Sequence, residues 1–437
     1  MLRSDCMALT LLVAAALPVR AQQVTCDERE NATCAEVRAL LERSDVQRAM
    51  NFIQQDDART IADLRHLTEI PAPPFGEEER ARAFAGLLEE AGADSVWTDE
   101  EGNVLAMRRG RTSERTVAIA GHLDTVFPEG TDVTIKERGD TLFAPGIGDD
   151  TRGLTVLLAI LRSLEAANVQ TDADVLFIGT VGEEGLGDLR GVKHLFGQGS
   201  PRIDAFLAID GGSDSRIINQ ALGSRRYRVT FKGPGGHSWG AFGTSNPVHA
   251  LGRAIHLFDQ AADAFTSSGA ATSYNVGRIG GGTSVNAVAF EAWMEVDMRS
   301  ESPDRLTAID SIFLVAVDRA LAEQNEVMRR GDALTVNVEL VGDRPSGEID
   351  PSTPFVQRAM AVTRALGIEP ELERSSTDSN IPISLGIPAV TLGRGGVGGE
   401  THSPGEWWIN RDGHIGIQRA LLVLLAEAGV SRPASVP

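Results

Sequence analysis

The sequence predicts an α/β fold, a sheet covered on both faces by helices, with a second α+β unit set into the middle of the chain. Three observations lead there. Several short, continuously apolar runs each end in a polar or acidic residue. A central stretch switches to alternating strands and helical periodicity. The length, 437 residues, exceeds that of a usual single domain.

The apolar runs come first. Residues 116–120 (TVAIA) end at Gly121-His122, and residues 175–179 (VLFIG) end just before Gly182-Glu183-Glu184. Residues 205–209 (AFLAI) end at Asp210, and residues 389–392 (AVTL) lead into the glycine-rich stretch that carries His402. Continuous apolar strands of this kind belong to sheets buried on both faces. In such sheets ligands gather beyond the carboxyl ends of the strands. Four strands followed by polar residues at that end predict one shared site. Its candidate members are His122, Asp149 (in Gly148-Asp149-Asp150), Glu184, Asp210 and His402. Taken singly, each acid reads as a loop residue or a helix cap. Placed together by one rule, two imidazoles and three carboxylates suit a pair of divalent ions, zinc being the best match. Glu183, next to a ligand, has the chemistry of a general base.

The helices and the inserted unit follow. Residues 153–167 read as the main amphipathic helix of the first catalytic segment, 45–222. A second segment, 223–341, opens on the alternating strand 226–231 (RYRVTF), whose arginines read as a solvated strand face. Helical runs near 247–263 and 304–325 flank a strand over 287–298. The chain then returns to the catalytic unit over 342–437, which supplies His402. The run 393–399 lacks the lysine of a phosphate loop and reads as a flexible lead-in to His402.

In combination, Gly121-His122-Leu123-Asp124-Thr125-Val126, Gly146-Ile147-Gly148-Asp149-Asp150, Glu183-Glu184-Gly185 and the late His402 resemble one family. These are the co-catalytic dizinc exopeptidases and amidohydrolases, which include peptidase T, carnosinase-type dipeptidases, carboxypeptidase G, aminoacylase and succinyl-diaminopimelate desuccinylase. The resemblance runs from about residue 58 to about 429. It implies a zinc-exopeptidase-like catalytic domain with a central mixed sheet flanked by helices, plus an α+β lid and dimerisation domain.

The resemblance also implies roles. His122 and Asp210 would bind one Zn2+, Glu184 and His402 the other, and Asp149 would bridge both, with Co2+ or Mn2+ as alternatives. Asp124 would stand behind His122 and orient its ring. The Asp149–Asp150 peptide would be cis. Glu183 would take a proton from the attacking water and pass it to the leaving amine. His237, in Gly235-Gly236-His237-Ser238, would donate to the oxyanion from the lid of a partner subunit, in a homodimer. Asn286 would contact substrate, and Arg299 would hold its carboxylate, although Arg299 also suits a strand pair with Asp297. Asp378, in Ser376-Thr377-Asp378-Ser379-Asn380, resembles a family loop near the site and also suits a plain turn. Aspartate at 210 favours a di- or tripeptidase or aminopeptidase over a carboxypeptidase or N-acyl-amino-acid hydrolase. The segment Asp149-Asp150-Thr151-Arg152-Gly153 departs from the usual Asp-x-Lys-Gly-Gly pattern and leaves the ligand intact.

Composition bounds the alternatives. A net charge of −20 argues against a nucleic-acid or anionic-membrane surface. No Gly-x-Ser-x-Gly elbow with a serviceable triad supports a serine esterase. A non-catalytic binding protein on the same scaffold could dispense with Glu183 or a ligand, and this chain keeps them all. Residues 1–21 read as a secretory signal whose apolar core is too short for a membrane span, so a secreted or periplasmic enzyme without a stable membrane anchor is expected. An extension, 22–44, would follow. It holds Cys26 and Cys34, which could pair in an oxidising compartment, and the glycosylation triplet Asn31-Ala32-Thr33.

Overall fold

A computed structural model describes residues 31–197 and 200–431. The expected signal segment and Cys26 lie outside the described residues. Cys34 is buried on the helix Asn31–Leu41 and is disulfide-bonded. Val37 and Leu40 of the same helix join the main core, so the described part of the extension packs on the catalytic unit.

Among the described residues the main sheet has nine strands. Its centre is four mutually parallel strands, in the order Asp174–Thr180, Thr116–His122, Ala205–Ile209 and Ala389–Leu392. Antiparallel strands flank them on both sides, Val104–Arg108 next to the first and Arg216–Ala221 next to the last. The central strands are buried almost throughout, as their apolar composition requires. Register fixes where they end. His122 lies opposite Thr180, and Leu392 opposite Ile209. The residues that follow, Glu183-Glu184, Asp210 and Arg394, therefore emerge along one edge of the sheet.

The helix expected at 153–167 spans Arg152–Ala167 and is a core helix, with only its last turns carrying solvent-facing residues. The helices Ser44–Gln55 and Gly413–Ala428 pack against it.

Residues beyond 222 build a separate antiparallel sheet in the order Thr272–Gly281, Glu291–Ser300, Gly223–Lys232, Thr335–Arg344. Two helices, Pro247–Thr266 and Pro303–Glu326, cover one of its faces. Both start with proline in the first turn and a side-chain cap, Asn246 on the amide of Val248 and Ser302 on that of Arg305. Ala292, Met294, Val296 and Met298 alternate into this second core beside Phe258 and Phe313. The single strand expected over 287–298 is two. Ala287–Val288 leaves the sheet to pair with Gly236–His237, and Glu291–Ser300 is the sheet strand.

The glycine run before His402 is packed, contrary to the flexible lead-in expected. Val397–Gly399 pairs with Trp407–Ile409, so His402 sits in the connecting loop. The Trp408 indole donates to the carbonyl of Gly395 at 3.0 Å. Gly396 has φ 78°, and a Cβ there would fall 2.6 Å from the indole nitrogen. Among the described residues no helix is long and apolar enough to cross a membrane.

Candidate metal centre and active site

His122, Asp149 and Glu184 meet, each offering one ligand atom within 4.8 Å of the others. His122 Nε2 lies 2.9 Å from Asp149 Oδ1, and His402 Nε2 lies 3.1 Å from Asp149 Oδ2 and 2.8 Å from Glu184 Oε1. The two oxygens of Asp149 thus face two different histidines. The Asp149–Asp150 peptide is cis. Asp210 lines the same cavity but is not part of the 4.8 Å group, and its carboxylate has no hydrogen-bond partner among the described residues.

The supports come from the fold. Asp124 is fully buried and accepts the amides of Glu183 (3.1 Å) and Glu184 (2.8 Å). It thereby pins the loop that carries both acids. Its contact with the His122 ring differs from expectation. Nδ1 is 3.0 Å from the backbone carbonyl of Asp124 and 3.6 Å from its carboxylate, so the carbonyl is the closer acceptor and leaves Nε2 facing Asp149. Asp150 accepts the amides of His122 and Gly153, both at 3.2 Å, and ties the His122 strand to the helix that follows Asp149. Gly153 is required there, because a Cβ would lie 2.2 Å from the Asp150 carboxylate.

Three residues beside the site escaped the sequence reading. Glu406, 1% exposed, accepts the amides of Gly146, Gly148 and Asp149 at 2.8–2.9 Å and moulds the Asp149 loop. No local motif marks it. Arg344, at the end of the last lid strand, bonds the Glu183 carboxylate at 3.2 Å, the Glu183 carbonyl, and Ser376 Oγ at 2.9 Å. Arg394 follows the apolar run 389–392 as Asp210 follows 205–209, so the strand-end rule could have found it.

Electrostatics follow from this crowding. Burial pushes Glu183 well above the ordinary carboxylate range, with Glu184 adding to the rise and Arg344 opposing it. Asp210 is raised to about 6 by burial and by Asp149. Burial opposes ionisation of Asp149, but hydrogen bonds from His122 and His402 outweigh it and hold the carboxyl low. His402 is raised to about 10 by its bonds to Asp149 and Glu184. Asp378 is a buried acid, not a turn residue on the surface. Burial raises it to about 6 despite the hydroxyl of Thr180 on one oxygen. Its other oxygen has no hydrogen-bond partner among the described residues.

A cavity of about 380 Å³ opens on this cluster. Arg299 and Arg226 of the lid line it together with Glu183, Glu184 and His402. Arg226 was expected on a solvated face. Instead it bonds Asp297 and the carbonyl of Gly185, both at 2.9 Å, because the bare face of the lid sheet turns towards the catalytic unit here. Arg299 bonds Asp297 at 2.8 Å, so the expected strand pair and a place at the cavity coexist. His237 and Asn286 are not brought in. Both are exposed on the lid, joined where the amide of Ser238 donates to the Asn286 carbonyl at 2.8 Å. The amides of Trp239 and Gly240 approach His237 Nδ1 at 3.3 Å, leaving Nε2 as the nitrogen free to donate.

Comparison with known proteins places the chain. The model of peptidase family M20/M25/M40 matches residues 118–426, well over half of the sequence. The chain belongs to this peptidase family. Its fold is that of solved members. It resembles a tripeptidase from Staphylococcus aureus (TM-score 0.68, 21% identity, 85% of this chain and 98% of the other). It also resembles human carnosine dipeptidase 1 (TM-score 0.65, 14% identity, 88% and 99%). In sequence it is 25% identical over 343 residues to a protein of Pyrococcus abyssi named as a LysW-lysine/LysW-ornithine hydrolase, covering 77% of this chain and 84% of that one. As an M20/M25/M40 peptidase the chain is a hydrolase, and the His122–Asp149–Glu184 group is its candidate metal-binding site.

Proposed function

We propose that this peptidase hydrolyses the amide bond of short peptides as a dinuclear zinc di- or tripeptidase or aminopeptidase, with Glu183 as general base. The observation that carries the reading is Asp149, one oxygen on His122 and the other on His402, beside a Glu183 held by Arg344. The donor set fits a metal pair. His122 and Asp210 would hold one ion, Glu184 and His402 the other, and Asp149 both. Among the described residues the Asp210 carboxylate has no hydrogen-bond partner, and it is the kind of group a cation satisfies. When bound, such a pair supplies Lewis-acid polarisation of the scissile carbonyl and a lowered pKa for the attacking water.

The chain's own residues supply the rest. Glu183, raised by burial, is poised to hold the water proton at a carboxylate oxygen and release it to the departing amine. Arg344 fixes that carboxylate, and Asp124 fixes the backbone beneath it. Arg299 would take a substrate carboxylate, whereas Asn286, on the exposed lid hairpin with His237, would meet substrate only in a partner's site. A cavity of about 380 Å³ suits a substrate of a few residues. His237 does not reach the cavity of its own chain, and Trp239 (87% exposed), Phe242 and Val285 stand bare around it. A lid-to-lid homodimer that covers these apolar side chains would carry His237 to the partner's oxyanion. The N-terminal segment supports export to a periplasmic or extracellular space, which fractionation of cells would test.

The experiment is a panel: a free-amine dipeptide, a free-amine tripeptide, an N-acetyl amino acid and an N-blocked dipeptide. Chelator-sensitive cleavage of the free-amine peptides alone is the expected result. Cleavage of the blocked substrates would move the assignment to a carboxypeptidase or acyl-amino-acid hydrolase, the reading that the succinyl-diaminopimelate desuccinylase among its relatives favours.

A further inference from the structure

We propose that Arg216 and Arg394 form an anion subsite on the catalytic floor of the cavity, so that the preferred substrate carries a carboxylate beyond any that Arg299 holds. The inference rests on the amide-hydrolase reading above and narrows its substrate class to acidic peptides or acidic acyl amides.

The two arginines flank the turn that follows Asp210. The backbone amide of Arg394 donates to the carbonyl of Gly211 at 3.3 Å. Its guanidinium lies against Gly148, where a Cβ would fall 2.6 Å from Nη2. Arg216 reaches the same turn from the other side, where a Cβ on Gly211 would fall 2.6 Å from Nη1. Both side chains line the cavity.

Arg394 is the unusual member. It is 4% exposed, and its side chain makes no hydrogen bond or ion pair among the described residues. Asp149, Asp150 and Asp210 act on it only through space. The other arginines of the cavity are engaged: Arg344 by Glu183 and Ser376, Arg226 and Arg299 by Asp297. Arg216 commits only Nε, to Glu373 at 2.8 Å, and keeps its two terminal nitrogens. A guanidinium that meets water only through the cavity, with no protein acceptor, is ready to take an anion there. A planar anion can meet that fork with two oxygens. Were Arg394 there merely to offset nearby acids, the cavity would not distinguish an acidic substrate from its amide.

The test is a comparison of matched free-amine dipeptides, Glu-Ala with Gln-Ala and Ala-Glu with Ala-Gln, together with N-succinyl- and N-acetyl-alanine. At least one charged member should exceed its neutral match about tenfold or more in kcat/KM, as charged hydrogen bonds predict. In Arg394→Gln and in Arg216→Gln that ratio should fall towards one, and Arg394→Lys should keep part of it. Arg216 is the less buried of the two, so its variant covers the case in which Arg394→Gln fails to fold. Equal rates within every pair, or a preference that survives both variants, would overturn the subsite and leave amide hydrolysis standing. Absence of any cleavage would sink the hydrolysis reading instead. Calorimetric binding of glutarate then decides the subsite alone: about tenfold weaker binding in Arg394→Gln supports it, and unchanged binding refutes it.

Discussion

On the catalytic floor Glu183, Glu184, Asp149 and His122 are anchored through their backbone amides by buried acids. Asp124 holds the amides of Glu183 and Glu184, Glu406 holds those around Asp149, and Asp150 holds that of His122. On the lid, His237 and Asn286 stand exposed and touch little besides their own hairpin. The floor gathers its candidate ligands within one chain, and the lid adds Arg226 and Arg299 to the same cavity but leaves His237 and Asn286 outside it. Changes on the floor should act at any protein concentration. Changes at His237 and Asn286 should act through assembly.

The largest effect expected is that of Glu183→Gln. Removing the proton shuttle should lower kcat by about 10²–10⁴-fold, with metal content and melting temperature retained because Arg344 still finds an oxygen. Steady-state kinetics beside metal analysis would decide it, and a fully active variant would remove Glu183 from the mechanism.

His237→Ala comes next and sharpens the contrast. Loss of an oxyanion donor costs about 10²–10³ in kcat. If the histidine acts in a partner's site, mixing His237→Ala with Glu183→Gln subunits should restore activity in the heterodimers. Mixtures no more active than the separate variants would place both residues in one chain's site.

Glu406→Gln tests the floor from beneath. It removes the charge that gathers three amides around Asp149, so metal affinity should fall by about 10–100-fold with fold intact. Competition against a chromogenic chelator would measure this, and wild-type affinity would show that the loop holds its shape alone.

The last effect concerns Asp378 and falls on stability, not on turnover. Its folded-state pKa of about 6 lies above its ordinary 3.8, so the fold binds this proton more tightly than the unfolded chain does. The stability contributed by the protonated form is complete below 3.8 and lost as pH rises through about 6. In metal-free protein Asp378→Asn should thus stabilise at pH 7.5 by about 2–3 kcal/mol, and the gain should vanish near pH 4. Melting curves at both pH values would show it, and an equal gain at both would assign the effect to packing.

The same contrast explains what was legible in the sequence. The strand-end rule found His122, Glu183, Glu184 and Asp210, because a buried parallel strand leaves its next polar residue one place to go. It did not find Glu406 or Arg344. Their roles depend on contacts across 257 and 161 positions of sequence, which no local pattern records. The helix read as amphipathic over 153–167 is buried along most of Arg152–Ala167, a degree of burial set by neighbours distant in sequence. On the lid, the alternation at 226–231 was legible, but which face met the catalytic unit was not. Arg226 was read as solvated for that reason.

The most direct test of the account is metal dependence at this site. Purified protein would be stripped with chelator, titrated with zinc, and assayed on a free-amine dipeptide and tripeptide as the zinc bound per chain is measured. Activity should vanish on stripping and return as two ions bind, with Asp149→Asn failing to recover. Full activity in stripped protein, or recovery by Asp149→Asn equal to the unaltered chain, would contradict it.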